Sequence, residues 1–322
     1  MSVPDEMWAD PWAGVAGAAR PDGVQLVVWD LLGPLPPDDD GRQRADVVVP
    51  PYMQADERLS RLGDVEGLQV VQTLTAGYDG IPQWLPPGVT LCTATGVHDA
   101  STAELTLGLT IAVLRGLGQA ALDATTGTWR HATRPALADR RVLLIGSGSV
   151  GTAIAARFAP FEVRLTRVAS RARDDDAGHV HGADELPRLL PAHDVVVLAC
   201  PLTDATRGMV NAAFLAAMPD GGLLVNVARG PVVVTEALVA ALESGRLMAA
   251  LDVTDPEPLP PDHPLWRAPN VLITPHVGGD TTAFPPRALA LLRDQLERLV
   301  DGRPLRNVVA PQDAPPEGTH GR

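Results

Sequence analysis

The sequence predicts an α/β protein with two parallel-sheet domains and a cleft between them. Three observations support this prediction. The chain has 322 residues, more than one hydrophobic core usually organises. Short apolar runs alternate with amphipathic segments, which is typical of βαβ units. A glycine turn between a strand-like run and a helix-like run matches the nucleotide-binding form of that unit. Both domains are therefore expected to be Rossmann-like or flavodoxin-like.

The glycine turn follows the apolar run 142–145. Gly146, Gly148 and Gly151 give the spacing G-x-G-x-x-G, and an amphipathic helix is predicted from Ser149. The first glycine suits a tight turn, the second a close approach of backbone to pyrophosphate, and the third close packing of helix on strand. The unpaired N–H groups at the helix start favour anions. This stretch predicts a dinucleotide site.

Composition excludes several partners. A formal charge of -13 disfavours nucleic acid and anionic membrane surfaces, because both would repel the protein. The two cysteines, Cys92 and Cys200, cannot form a disulfide framework and indicate a reducing compartment. The first ten residues have neither the basic nor the apolar region of a signal peptide, so a cytoplasmic protein is expected. No metal site is predicted.

Helices and strands are predicted from hydrophobic periodicity and from capping signals. Ser101 and Glu104 form a capping-box pattern that predicts a helix from Thr102 to about Leu117. The stretch 118–140 has no strand pattern. Strands are predicted at 26–29, 47–49, 68–74, 89–94, 163–168, 195–199, 223–227, 248–251 and 271–273, and later helices at 211–217, 235–244 and 286–299. A proline-rich tail from 310 is predicted to be disordered.

Polar side chains follow three strands of the second half. Arg229, Asp252 and His276 come just after predicted strands, and Glu257 lies five residues beyond Asp252 in a proline-flanked loop. Ligands of open α/β sheets bind at the carboxyl ends of the strands. The sequence therefore predicts that these groups converge beside the nucleotide turn.

At this point a family resemblance becomes specific. The segments ACPLTDATRGMVN, GGLLVNVARG, LDVTDPEPLPPDHPLW and ITPHVGG, with the earlier LQVVQTLTAGYDGI and GVHDASTAE, resemble the D-isomer-specific 2-hydroxyacid dehydrogenase family. The resemblance covers roughly residues 45–305. It implies hydride transfer between a nicotinamide and a small 2-keto or D-2-hydroxy acid.

The resemblance also implies residue roles. His276 would be the acid/base at the substrate oxygen, and Glu257 would orient its imidazole and favour the protonated form. Arg229 would bind the substrate carboxylate and polarise its carbonyl. The backbone amides of Ala76 and Gly77 would complete the carboxylate site.

Cofactor contacts are implied in the same way, with Asp252 facing the nicotinamide amide. Besides the three glycines of the turn and Asp252, the implied contacts are Ser149, Val150, Cys200, Pro201, Thr206, Val227, Ala228, Gly278 and, less directly, Thr102.

One departure bears on the choice of cofactor. NAD-preferring relatives carry an acid at the end of the second strand, where this chain has Ser170, Arg171 and Arg173 and no acid before Asp174. These side chains suit a 2′-phosphate, so NADP is favoured over NAD. If both arginines are only solvated, the site accepts either.

The resemblance further implies a discontinuous substrate domain, 1–98 with 290–322, around a cofactor domain, 99–289. A homodimer is expected through 118–140, with Trp129 in the contact, although Trp129 could instead be local core. Any small 2-keto acid fits these residues, including pyruvate and branched or aromatic relatives, and reduction of glyoxylate or hydroxypyruvate is favoured. The alternatives are a nucleotide-sensing corepressor of the same fold and a formate or phosphite dehydrogenase, although formate enzymes usually pair the histidine with glutamine.

Overall fold

A computed structural model of the protein describes residues 1–16, 18–37, 40–53 and 56–309. The chain forms two compact units, Met1–His98 with Thr282–Arg322, and Asp99–Thr281. The predicted disordered tail from 310 lies outside the described residues. The second boundary lies eight residues before the expected 289/290, because one continuous helix from Phe284 packs as a single element in the first unit.

The described residues contain thirteen strands and seven α-helices. The strands are β1 Ser2–Val3, β2 Val27–Val28, β3 Val47–Val48, β4 Val70–Gln72, β5 Thr90–Cys92, β6 Arg141–Ile145, β7 Arg164–Ala169, β8 Arg173–Asp175, β9 Gly178–Gly182, β10 Val195–Leu198, β11 Gly222–Asn226, β12 Leu247–Leu251 and β13 Val271–Ile273. The helices are α1 Asp99–Arg115, α2 Leu117–Thr125, α3 Ser149–Phe158, α4 Leu186–Leu189, α5 Ala212–Ala217, α6 Thr235–Glu243 and α7 Phe284–Val300.

The first unit is built on a five-stranded parallel sheet. Its strand order is β2-β1-β3-β4-β5. One core cluster packs Leu59 and Leu62, from a 3-10 helix at Glu57–Asp64, with Val48 and Val71 of the sheet. Another includes α7, whose Leu292 packs in the same cluster as Val3 and Trp8.

The second unit is built on an eight-stranded sheet of order β13-β12-β11-β10-β6-β7-β9-β8. All pairs are parallel except β8 with β9. Alternate residues of the central strands enter two separate cores, one shared with α1 and α3 and the other with α5 and α6. Because β6 and β10 to β13 are parallel, their carboxyl ends lie at one edge of this sheet.

Some local predictions were wrong. Helix α1 begins at Asp99, so Ser101 is buried inside the helix and is not its cap. The carboxylate of Glu104 instead lies 3.5 Å from the guanidinium of Arg157. Helix α2 and the hairpin β8–β9 were not predicted.

No single helix of the described residues is both long enough and apolar enough to cross a membrane. One pair, α1 with α2, meets the criteria only when the two helices are taken together, and they meet at a bend of 65°.

Candidate active site

The glycine turn after β6 has two packed glycines and one open glycine. Gly146 has φ +114°, and a Cβ there would lie 2.3 Å from the carbonyl oxygen of Ala199. A Cβ on Gly151 would lie 2.0 Å from the carbonyl oxygen of Gly146. A Cβ on Gly148 would meet nothing within 4 Å. The first and third glycines therefore close the turn against the sheet, and the second leaves space above it.

Helix α3 begins directly at that open space. Gly148 is its N-cap, and no side chain caps its first N–H groups. Ser149 is exposed, and its hydroxyl donates a hydrogen bond of 3.2 Å to Asp99. An uncapped helix N-terminus beside an unobstructed glycine fits a pyrophosphate.

The end of β7 carries the predicted cationic group. Ser170, Arg171 and Arg173 are exposed, and the guanidinium of Arg173 donates to the carbonyl oxygen of Ser147 at 3.2 Å. Arg173 therefore reaches back onto the glycine turn. The nearest acid in sequence, Asp174, is hydrogen-bonded to His179.

The loop that follows β13 is held by one buried carboxylate. Asp252 is 3% exposed. It accepts hydrogen bonds from the hydroxyl of Thr274 at 2.6 Å and from the backbone N–H groups of Val277 at 2.9 Å and Gly278 at 2.8 Å. A Cβ on Gly278 would lie 2.8 Å from the same carboxylate. Because His276 lies between these donors, Asp252 fixes its backbone, which has φ +54°.

His276 and Glu257 form a close pair. Nδ1 of the imidazole lies 2.5 Å from Oε1 of the carboxylate. Burial raises the pKa of Glu257, but the hydrogen bond and charge of His276 outweigh it and leave that pKa below its usual value. The carboxylate is therefore ionised at neutral pH, and Nε2 is the imidazole nitrogen left to face a ligand.

Arg229 is brought to the same place from the end of β11. Its guanidinium is near enough to contribute to the lowered pKa of Glu257. Its Nη1 donates to the carbonyl oxygen of Ala228 at 2.7 Å. Asn226, 1% exposed, bonds both to the N–H of Ala228 and to the carbonyl oxygen of Arg229. Arg229, Glu257 and His276 thus lie close together. We call them the catalytic group after the role that the family resemblance implies for them.

A backbone contact ties the two strand ends together. A Cβ on Gly230 would lie 1.9 Å from the carbonyl oxygen of Thr254. The segment that carries Arg229 therefore lies directly against the start of the loop that carries Glu257.

The loop after β10 contributes further predicted cofactor residues. The hydroxyl of Thr206 accepts from the N–H of Thr203 at 2.8 Å and donates to the carbonyl oxygen of Pro201 at 2.7 Å, which folds the loop on itself. Cys200 is buried, and burial raises the pKa of its thiol to about 11. Val227 and Ala228, also buried, follow the neighbouring strand β11.

Ala76 and Gly77 belong to the first unit and follow β4. Their turn is held by the hydroxyl of Thr75, which donates to the carbonyl oxygen of Gly77 at 2.7 Å. In the same unit the ring of Phe284 packs against Tyr52 and His98, with centroids 4.6 and 4.7 Å away.

Sequence reasoning missed the residues that organise the loops. Asn226, Gly230 and Thr274 were not singled out. Asp252 was predicted to face the nicotinamide amide, and the structure adds a second role, since its carboxylate accepts hydrogen bonds from the loop around His276. The available signal was position, since each lies within three residues of a catalytic residue or directly after a strand.

At one edge of an open parallel sheet, a dinucleotide-type turn lies with a guanidinium and a carboxylate-bound imidazole. These features define a dinucleotide-dependent dehydrogenase domain.

Comparisons with known proteins make the class specific. The model of the NAD binding domain of D-isomer specific 2-hydroxyacid dehydrogenases matches residues 107–278. The chain is 35% identical over 246 residues to glyoxylate reductase of Thermofilum pendens, covering 73% of each. It is 32% identical over 284 residues to glyoxylate reductase/hydroxypyruvate reductase of Homo sapiens, covering 84% of this chain and 86% of that one.

A solved structure of a reductase is also similar to this chain. The NADPH-dependent glyoxylate/hydroxypyruvate reductase of Sinorhizobium meliloti, in complex with NADP and sulfate, matches with a TM-score of 0.73 and 27% identity, covering 84% of this chain and 88% of that one. The chain belongs to the D-isomer specific 2-hydroxyacid dehydrogenase family. It is an oxidoreductase that uses NAD or NADP and a small keto or hydroxy acid. The predicted family, fold class and enzyme class are confirmed.

Proposed function

We propose that the protein is an NADP(H)-preferring reductase of short 2-keto acids such as glyoxylate and hydroxypyruvate. The observation that carries the proposal is the 2.5 Å contact between His276 and Glu257 beside Arg229. The two curated relatives described above are named for these substrates.

The catalytic group divides the work of reduction. When bound at the glycine turn, a reduced nicotinamide cofactor would supply the hydride for the carbonyl carbon. His276 donates a proton from Nε2 to the carbonyl oxygen, which becomes the hydroxyl of the product. Glu257 holds the imidazole by Nδ1. Arg229 binds the substrate carboxylate, a task that suits a planar fork of donors. That the amides of Ala76 and Gly77 also bind it stays a prediction.

The preference for NADP rests on the end of β7. Arg171 and Arg173 supply two cations where relatives that prefer NAD carry an acid, and Arg173 already contacts the glycine turn. The Sinorhizobium enzyme, which is described as NADPH-dependent, supports the assignment. We expect R171A/R173A to raise the KM for NADPH at least tenfold and to leave the KM for NADH within about twofold. An equal change in both would contradict it.

The experiment on substrate is a panel of 2-keto acids with NADPH and NADH, followed by the absorbance of the reduced nicotinamide. Formate and phosphite with the oxidised cofactors are included. Turnover of glyoxylate or hydroxypyruvate supports the proposal. Oxidation of formate or phosphite alone would overturn the proposal in favour of a formate or phosphite dehydrogenase. Cofactor binding without any turnover would favour a nucleotide-sensing corepressor.

The proposed roles are tested by His276→Ala. We expect it to lower kcat by at least about 100-fold, because the proton donor is lost, while NADPH binding measured by fluorescence is retained. His131→Ala, an exposed histidine outside the catalytic group, is the control. Wild-type kcat in His276→Ala would refute the assignment.

We also propose a homodimer formed through the stretch 118–140. Trp129 is 94% exposed and Leu122 65% exposed, so the alternative that Trp129 is local core is wrong. Asp123 accepts a hydrogen bond of 2.8 Å from Arg130, which links the two ends of the segment that carries Trp129. A second copy of the chain would cover it. Light scattering should give a dimer for the wild type and for Trp266→Ala, and mainly monomer for Trp129→Ala; a monomeric wild type overturns the proposal.

A further inference from the structure

A cluster of metal-ligand side chains lies on the hairpin β8–β9 and the turn after it. His179 and His181 occupy alternate positions of β9, so both side chains project from the same face of the strand. Glu185 follows three residues after the strand ends. One ligand atom from each of these three residues lies within 4.8 Å of the other two. None of them belongs to the catalytic group or to the predicted cofactor contacts.

We propose that His179, His181 and Glu185 bind a divalent transition-metal ion, with Zn²⁺ as the best match. Two imidazoles and one carboxylate are a ligand set that zinc uses, with a water in the fourth position. In a tetrahedral site with bonds of about 2.1 Å, ligand atoms lie roughly 3.4 Å apart. The three groups therefore need to move by only about 1 Å to close on an ion.

Neighbouring groups orient two of the proposed ligands, His179 and Glu185. Nδ1 of His179 lies 2.8 Å from the carboxylate of Asp174, on the paired strand β8. A hydrogen bond from Nδ1 leaves the lone pair of Nε2 for a metal, which is the arrangement that orients most histidine ligands. Oε1 of Glu185 accepts from the N–H of Gly182 at 3.1 Å, which fixes the carboxylate against the backbone.

Charge also favours a cation. The carboxylate of Glu185 faces the cluster, with Oε2 3.0 Å from Nδ1 of His181. The guanidinium of Arg188 is bonded to the same carboxylate, but its side chain is 70% exposed. It can turn into water when a metal ion takes its place. The imidazole rings of His179 and His181 meet edge to face with centroids 4.6 Å apart.

The experiment measures Zn²⁺ binding by the full chain without an affinity tag, using calorimetry and competition with a chromophoric chelator. We expect one equivalent bound with a micromolar or lower Kd. The double variant H179A/H181A and Glu185→Gln should each weaken it at least tenfold, and Asp174→Asn by a smaller factor. Arg188→Ala should bind as tightly as the wild type or more tightly.

Two controls locate the ion. His131→Ala removes an exposed histidine elsewhere and should leave the Kd unchanged, and His276→Ala separates this site from the catalytic group. Binding lost in His276→Ala but retained in H179A/H181A would overturn the proposal, as would failure of the wild type to bind. Circular dichroism and NADPH binding of each variant verify folding. Because His179 is exposed, His179→Ala alone provides a variant whose loss of binding does not reflect unfolding.

Discussion

The turn after β6 and the loop after β13 lie at the same edge of one sheet but are shaped by opposite means. The turn depends on missing side chains, since a Cβ on Gly146 or Gly151 would overlap backbone. The loop depends on a side chain that is present, because Asp252 accepts three hydrogen bonds around His276. A phosphate needs close approach of backbone, whereas a proton donor needs one fixed orientation. The glycine turn thus suits an anion, and the loop held by Asp252 suits a side chain that must keep one orientation.

The largest expected effect separates the packed glycine from the open one. Gly146→Ala combines a left-handed backbone with a methyl 2.3 Å from a carbonyl oxygen, so we expect a loss of roughly 4 kcal/mol in the free energy of unfolding. Gly148→Ala should leave that free energy within about 0.5 kcal/mol. Its methyl enters the open space, so NADPH should bind at least tenfold more weakly. Denaturant unfolding and cofactor titration measure both. Equal stability of the two variants would contradict the distinction between a packed Gly146 and an open Gly148.

Asp252 is the matching test for the loop. Asp252→Ala leaves one hydroxyl and two N–H donors without their acceptor, and we expect a loss of about 3 kcal/mol in stability. We expect kcat to fall at least about 100-fold, because His276 is no longer held. Asp252→Asn keeps an acceptor oxygen, so its losses should be smaller. If NADPH affinity falls and kcat does not, Asp252 serves the cofactor, as first predicted.

Glu257→Gln tests the carboxylate within the catalytic group. The pKa of Glu257 lies below its usual value, so its carboxylate is ionised at neutral pH. Glutamine keeps the length of the side chain but removes the charge that faces Nδ1 of His276, and we expect kcat for reduction to fall roughly 10- to 100-fold. NADPH binding should be retained, because Glu257 is not among the predicted cofactor contacts. Wild-type kcat in Glu257→Gln would show that the reaction does not need this charge.

The smallest effect concerns the thiols. Burial raises the pKa values of Cys92 and Cys200 to about 11, so both are neutral thiols at pH 8. The thiolate is the reactive form, and we expect native protein to react with a thiol reagent far more slowly than the unfolded chain, which should titrate two groups. Rapid reaction of native Cys200 would show that the loop beside the glycine turn opens.

In both units the sequence predicted the apolar strands and missed the short or polar ones. Strands such as Val195–Leu198 are continuous apolar runs because both faces are buried, so periodicity identifies them directly. The pair Ser2–Val3 is too short to give a pattern, and Gly178–Gly182 carries two histidines and lies between glycines.

For the candidate site, position after a strand pointed to Arg229 and His276, whereas Glu257 came from the loop beyond Asp252 and from the family resemblance. It could not reveal Gly230, because the need for glycine there comes from Thr254, a residue on another strand's loop.

That contact between Gly230 and Thr254 has a consequence for engineering. Because there is no gap between the two backbones, any insertion or bulky replacement in one segment displaces the other, and with it either Arg229 or Glu257. Attempts to change which acid the enzyme accepts should therefore transplant residues 226–230 and 254–258 as a matched pair.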